Sequence, residues 1–250
     1  MHSADEIQRL VTIAFTLEAI SDKDGCTTRY VDLPGKSLQD FLIAGINVGK
    51  YFRSLADDVT HEADQIEIFR YFVPALNVSN ANKSSKYVNF GLLESMFLTV
   101  VARLLSRSGF AAIDRMGELL ERRKTEDVHH LLDARKRAWS TSTNEAKRNF
   151  DDSAERHLSS VAEFYRYLTK AFSTDTSNFQ WGNHALQGFP ILRKTYEALQ
   201  STSDIIETIP IIHRSLRAEY PAMKIGILAD YSAAAIFLHL YDDEIAKSKT

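Results

Sequence analysis

Hydrophobic side chains recur at helical spacing along most of the chain. One face of the first predicted helix is marked by apolar residues three and four positions apart, Ile7, Leu10, Val11, Ala14 and Phe15. Ser3 or Asp5 precedes this face and would cap the helix. The pattern is typical of a helix that packs one side against a core.

The same spacing predicts a series of helices separated by short polar segments. Ser37 followed by Asp40 resembles a capping box, whereas residues 21–36 predict a long loop because they hold two glycines and a proline. Gly109 is predicted to end a helix, Pro190 to lie in a first turn and Pro210 to kink or break a helix. The predicted helices after the first cover residues 37–55, 66–72, 87–106, 110–123, 126–139, 145–172, 190–199, 203–220 and 226–246.

Composition supports a helical fold. Ten glycines and five prolines in 250 residues are few for a many-stranded protein, which needs many turns. No repeat or low-complexity linker divides the chain. We therefore expect a single all-α domain over residues 1–250, with about nine to eleven helices.

Charge and cysteine content narrow the class of protein. A net charge of −3 does not suggest a broad nucleic-acid-binding face and leaves room only for a local basic pocket. One cysteine, Cys26, excludes an internal disulfide and a cysteine-rich zinc site. Residues 1–9 are polar, and Glu94 and Arg103 interrupt the apolar stretch 90–105, so we expect a cytoplasmic protein with no membrane partner. The apolar stretch 231–241 is either central core or a homodimer face.

Common phosphate-binding and nucleophile motifs are absent from the sequence. There is no G-x-x-x-x-G-K-[ST], G-x-G-x-x-G or G-x-S-x-G, so any phosphate would be held by helix N-termini with Lys and Arg. Three groups of acidic and histidine residues lack a full metal-ligand set and are interpreted as solvated helix faces: residues 57–64, the pair His129 and Asp133, and the pair His239 and Asp243.

Five short segments nevertheless follow one another in a recognisable order. They are Thr28-Arg29-Tyr30 with 37–42, Asn82 and Lys86 leading into 90–93, Gly188-Phe189-Pro190 with Arg193, His213-Arg214, and Gly226 with Ala229-Asp230. Together they resemble the motifs of the CitG-type triphosphoribosyl-dephospho-CoA synthases and their malonate-decarboxylase counterpart MdcB. That resemblance implies an all-α fold and a reaction that joins ATP to 3'-dephospho-CoA with loss of adenine, with Mg²⁺ accompanying ATP.

The resemblance also implies roles for individual residues. Asp230 would act as a metal ligand or base, or else as a first-turn acid stabilised by the helix dipole. His213 would protonate a leaving base or donate to phosphate, or else is a satisfied core histidine. Asn82 would orient ribose or phosphate, or cap a helix. The remaining binding residues implied are Gly226 and the phosphate clamps Arg29, Lys86, Arg193, Arg214 and Lys224, for any one of which a surface ion pair is the alternative.

Departures from the family pattern leave two alternatives open. Lys224-Ile225-Gly226 stands where the family has Asn-Pro-Gly, Thr208-Ile209-Pro210 replaces Asp-Thr-Asn, and the Lys-Pro-Gly of the early motif is not recognised. One alternative is a family enzyme with another acceptor, in biosynthesis of a one-carbon cofactor of the methanopterin or methanofuran type. The other is a catalytically silent protein that binds a nucleotide or a partner.

Overall fold

The computed structural model describes residues 2–33, 36–62, 65–79, 89–122, 124–139, 158–171, 184–202, 204–221, 223 and 225–248. Within these ranges it contains ten helices and no strand, so the predicted all-α class is confirmed. The helices are α1 (Ala4–Ile20), α2 (Leu38–Glu62), α3 (Phe72–Ser79), α4 (Phe90–Leu104), α5 (Gly109–Glu121), α6 (Thr125–Trp139), α7 (Val161–Ala171), α8 (His184–Leu199), α9 (Ile205–Glu219) and α10 (Ile225–Lys247).

Helices α4 and α10 form the centre of the fold. Every residue of α4 is buried, and so is every residue of α10 from 227 to 238 except Asp230. The two helices run parallel, because Ser95 Oγ lies 3.4 Å from the carbonyl oxygen of Asp230 near their starts and Arg103 pairs with Asp242 near their ends. Helices α1 and α8 also pack against α10. The N-termini of α4 and α10 therefore open at the same end of the molecule.

Local capping signals are confirmed at the first two helices. Ser3 caps α1 in a capping box with Glu6. The Ser37 backbone N–H donates to the Asp40 carboxylate at 2.9 Å, and the Asp40 N–H donates back to Ser37 Oγ at 3.2 Å. Side-chain capping stabilises a helix start whatever packs around it, which explains why these signals are readable from sequence.

Several predicted helix boundaries are wrong, among them the start of α8, which is predicted at Pro190 and observed at His184. The helix predicted over 66–72 is observed further along the chain as α3, Phe72–Ser79. Pro74 lies in the first turn of this helix, where the missing backbone N–H of proline costs no hydrogen bond. Gly109 begins α5 behind the capping residue Ser108 rather than ending α4. The helix predicted over 145–172 is observed over Val161–Ala171, while residues 140–157 lie outside the described ranges.

Two prolines lie inside continuous helices. Helix α8 begins at His184, before Pro190, and α9 continues through Pro210. Ile191 directly follows Pro190 in α8, and Ile209 directly precedes Pro210 in α9. Both isoleucines are buried. Packing of these apolar side chains offsets the single backbone hydrogen bond that each proline removes.

The described helices differ from membrane spans in length or in apolar character. None of them alone has the length and apolar character of a membrane span. The pair α4 and α5, bent by 114°, meets that test only when the two helices are taken together.

Candidate functional site

Two cavities border the first turns of α10. The Asp230 cavity, of about 160 Å³, has its polar lining from α1, the loop between α1 and α2, and α10: Glu18, Cys26, Thr27, Lys36 and Asp230. The arginine cavity, of about 190 Å³, has its polar lining from the same loop and from α9: Asp22, Asp24, His213, Arg214 and Arg217. Both volumes are smaller than pockets that enclose a drug-sized ligand, roughly 300–1,000 Å³, so each cavity is sized for a small group or for part of a larger ligand.

A contact between Gly25 and Ile225 separates the two cavities. Gly25 lines the Asp230 cavity, and Ile225 lines the arginine cavity. Gly25 adopts a φ of +77°, and a Cβ at this position would lie 2.6 Å from Ile225 Cδ1. Only glycine fits both the left-handed backbone and the close approach. The loop and α10 can thus meet in a narrow ridge with a cavity on each side.

The loop between α1 and α2 is ordered by its own hydrogen bonds. Thr27 Oγ1 donates to the carbonyl oxygen of Lys36 at 3.0 Å. Leu33 and Lys36 exchange two backbone hydrogen bonds, of 3.1 and 2.9 Å. These bonds hold Lys36 at the Asp230 cavity, although sequence predicts only a long loop here.

A buried ion pair borders the Asp230 cavity, which Glu18 lines. Lys23 Nζ is 2.9 Å from Glu18 Oε1, and both side chains are almost fully buried. Burial raises the pKa of Glu18, and the negative charge of Asp230 adds to this shift while the Lys23 ammonium opposes it. Asp230 therefore lies close enough to Glu18 for its negative charge to act on that carboxyl.

Cys26 lies in the Asp230 cavity as a neutral thiol. Burial raises its pKa to about 12, and the nearby Glu18 carboxylate contributes to this shift. A thiol of such high pKa carries almost no thiolate at neutral pH, so Cys26 is not a nucleophile. The chemistry available in this cavity comes from the carboxylates and from Lys36.

His213 is held in one tautomer by Ser232. The Ser232 hydroxyl donates its only hydrogen to the carbonyl oxygen of Leu228 at 2.8 Å. His213 Nε2, 3.1 Å from Ser232 Oγ, must therefore be the donor in that contact. Burial, with a smaller effect of Lys23, lowers the pKa of His213 to about 3. At neutral pH the imidazole is neutral, with Nδ1 as an acceptor, which argues against His213 as the proton donor to a leaving base.

The structure separates the residues implied by the family resemblance. Asp230 lies with Gly226, and His213 lies with Arg214. Three others, Asn82, Lys86 and Lys224, lie outside the described residues.

Two of the implied phosphate clamps line neither cavity. Arg29 is 3.9 Å from Glu207 and lies over the ring of Tyr30. Arg193 pairs with Asp114 and lies 5.8 Å from the ring centroid of Phe110. Both arginines form the surface ion pairs that the sequence left open as their alternative.

Several cavity residues were missed from the sequence. Glu18 lies four positions after Ala14 on the apolar face of α1, so a charge on a buried face was the available signal. Lys23 and Gly25 lie in the segment 21–36, which the sequence predicts only as a long loop. Arg217 carries no comparable signal.

Metal-binding potential is limited to pairs of carboxylates. Among the described residues, no group of three or more His, Cys, Asp or Glu side chains is arranged to hold a metal ion. Mg²⁺ bound together with phosphates needs only one or two protein carboxylates. Glu18 is already paired with Lys23, so Asp22 and Asp24 are the better fit to such an ion.

Comparisons with known proteins give no further identification. Family models, curated proteins and solved structures were compared with this chain, and none matches it. Functional assignment therefore depends on the motif segments and on the geometry of the two cavities.

Proposed function

We propose that this chain is a divergent CitG-like transferase that moves a triphosphoribosyl group from ATP to an acceptor such as 3'-dephospho-CoA. The observation that carries the proposal is the Asp230 cavity, where two carboxylates and the ammonium of Lys36 line one space. Such a cavity suits a reaction in which positive charge develops on a sugar carbon.

The reaction balances without a further reactant. The bond between the anomeric carbon of ATP and adenine breaks, and a bond forms between that carbon and a hydroxyl oxygen of the acceptor. The catalytic base accepts the proton of the acceptor hydroxyl. Adenine gains one proton as it departs, so one proton is released and one is taken up. Asp230 is assigned as the group that accepts the hydroxyl proton and stabilises the oxocarbenium-like carbon.

Lys23 and Lys36 complete the electrostatics of this cavity. Lys23 pairs with Glu18, and Asp230 is the second carboxylate that lines the cavity. Lys36 is assigned to a phosphate or ribose oxygen. Mg²⁺, when bound with ATP, would offset part of the triphosphate charge.

Adenine release tests the proposal. Purified protein is incubated with ATP, Mg²⁺ and 3'-dephospho-CoA, and adenine is measured by mass spectrometry. We expect acceptor-dependent release that Asp230→Asn reduces by about a hundredfold or more. Asp243→Asn is the matched control, because Asp243 lies on the same helix and pairs only at the surface with Lys247. Equal rates for Asp230→Asn and Asp243→Asn would overturn the role of Asp230.

A second candidate is a catalytically silent nucleotide-binding protein. The observation in its favour is that Arg29 and Arg193, two of the implied phosphate clamps, are engaged in ion pairs away from the cavities. This candidate predicts that ATP binds without release of adenine in the presence of acceptor. Calorimetric ATP binding with no adenine formed would favour it over the transferase.

A further inference from the structure

The arginine cavity holds charges of both signs that do not pair. Asp22 and Asp24 line it from the loop, and Arg214 and Arg217 line it from α9. Among the described residues, none of these four forms an ion pair, and the only hydrogen bond of their side chains runs from Arg214 Nε to the carbonyl oxygen of Pro210 at 3.4 Å.

Other exposed arginines of the chain behave differently. Arg53 pairs with Asp5 and Arg166 pairs with Glu121, each across two helices. In the arginine cavity the carboxylates and guanidinium groups share one space but remain apart. The cavity that they line measures about 190 Å³, so a small ligand inside it would lie next to charges of both signs.

Side-chain chemistry identifies the class of that ligand. Guanidinium groups bind phosphate oxygens through paired hydrogen bonds. Two carboxylates on one wall suit a divalent cation that keeps phosphate oxygens as its other ligands. A polyphosphate complexed with Mg²⁺ presents both partners at once.

The loop explains why both carboxylates reach the cavity. Lys23 points inward to its buried pair with Glu18. Asp22 and Asp24, on either side of it, are exposed. His213 lines the same cavity.

We propose that the arginine cavity binds a Mg²⁺–polyphosphate, with Arg214 and Arg217 on phosphate oxygens and Asp22 and Asp24 on the cation. This inference rests on the proposed function, which requires a site for the triphosphate of ATP. Gly25 of the Asp230 cavity lies against Ile225 of the arginine cavity, so the cavities are neighbours, and a substrate bound across both would have its phosphates in the arginine cavity and its ribose in the Asp230 cavity.

Calorimetry with inorganic tripolyphosphate tests this site without any turnover. The full chain is titrated with tripolyphosphate in excess Mg²⁺ and again in EDTA. We expect binding in Mg²⁺ that Arg217→Gln weakens about tenfold or more, the loss typical of a charge-assisted contact. Arg53→Gln, which removes an exposed arginine on α2, is the matched control and should bind as the parent chain does.

The carboxylates have a separate readout. Asp22→Asn combined with Asp24→Asn should abolish the difference between Mg²⁺ and EDTA. Equal affinity of Arg217→Gln and Arg53→Gln, or a Mg²⁺ effect that survives loss of both carboxylates, would overturn the site.

Failure of this site and failure of the transferase give different results. Arg217-dependent tripolyphosphate binding with no adenine release from ATP supports the cavity and contradicts the transferase. If adenine is released but tripolyphosphate binding does not depend on Arg217, the proposed phosphate site is contradicted and the proposed transferase activity is not.

Discussion

The two ends of α10 use polar side chains in opposite ways. At the C-terminal end, the Asp242 carboxylate accepts hydrogen bonds from Arg103 Nε at 2.8 Å, from the backbone N–H of Gly109 at 2.9 Å and from the hydroxyl of Tyr196. Arg103 also lies 4.1 Å from the ring centroid of Tyr241. A single carboxylate thus joins α4, α5 and α8 to α10.

At the N-terminal end, several polar side chains form no ion pair or hydrogen bond with another residue in the described part of the chain. Asp22, Asp24 and Arg217 face a cavity instead of one another. Asn89, at the start of α4, has both side-chain polar atoms buried without a hydrogen bond to any described residue. Asp22, Asp24 and Arg217 are exposed to solvent, whereas a buried unsatisfied group such as Asn89 opposes folding unless water or a ligand completes it. The difference shows which end holds the fold together and which end is available for binding.

The largest effect is expected from Asp242→Ala. The change leaves Arg103, whose side chain is only 3% exposed, with no carboxylate partner. We expect a loss of about 3 kcal/mol in the free energy of unfolding, measured by urea denaturation. Asp243→Ala, beside it on the surface, should cost about 0.5 kcal/mol or less. Similar losses for both variants would remove the structural role of Asp242.

The next effect concerns pH and the opposite end. The pKa of His213 is about 3 in the folded chain, compared with an ordinary value of 6.5 that applies to the unfolded chain. As the pH falls, the unfolded chain therefore takes up the proton at a higher pH than the folded chain does. Stability should therefore decrease as pH falls below 6.5, and His213 should account for about 2 kcal/mol of that loss by pH 4.5.

His213→Gln should flatten this part of the stability profile. Glutamine keeps a donor for Ser232 but does not titrate. His61→Gln on α2 is the control. Because His61 is exposed, this substitution removes a histidine without removing a buried imidazole. Unfolding curves at pH 6.5 and 4.5 measure the difference, and an unchanged slope in His213→Gln would contradict the buried neutral imidazole.

A smaller effect is expected at the ridge between the cavities. Gly25→Ala forces a Cβ onto a backbone with φ of +77° and to within 2.6 Å of Ile225 Cδ1. We expect a loss of about 1–2 kcal/mol in stability, from the left-handed backbone and the clash. Adding Ile225→Val removes the nearest atom and should restore part of the loss. Thermal unfolding of the single and double variants measures this, and full recovery in the double variant would exclude backbone strain.

Local signals were readable from the sequence, whereas distant contacts were not. The caps at Ser3 and Ser37 depend on residues three positions away, so both were predicted correctly. The Asp230 cavity instead combines α1, a loop and α10, whose side chains meet only after folding. Motif matching named Arg193 as readily as Asp230, because a motif does not reveal that Asp114 lies opposite the arginine.

The smallest effects on stability should come from the charges proposed to bind ligand. Arg217→Gln and Asp24→Asn each remove an exposed side chain with no ion-pair partner among the described residues. We expect each to change the free energy of unfolding of the ligand-free chain by about 0.5 kcal/mol or less. Denaturation without and with Mg²⁺ and tripolyphosphate separates the two roles, because ligand should stabilise the parent chain more than either variant. A loss above about 1 kcal/mol without ligand would make these charges structural, and the contrast between the two ends of α10 would then fail.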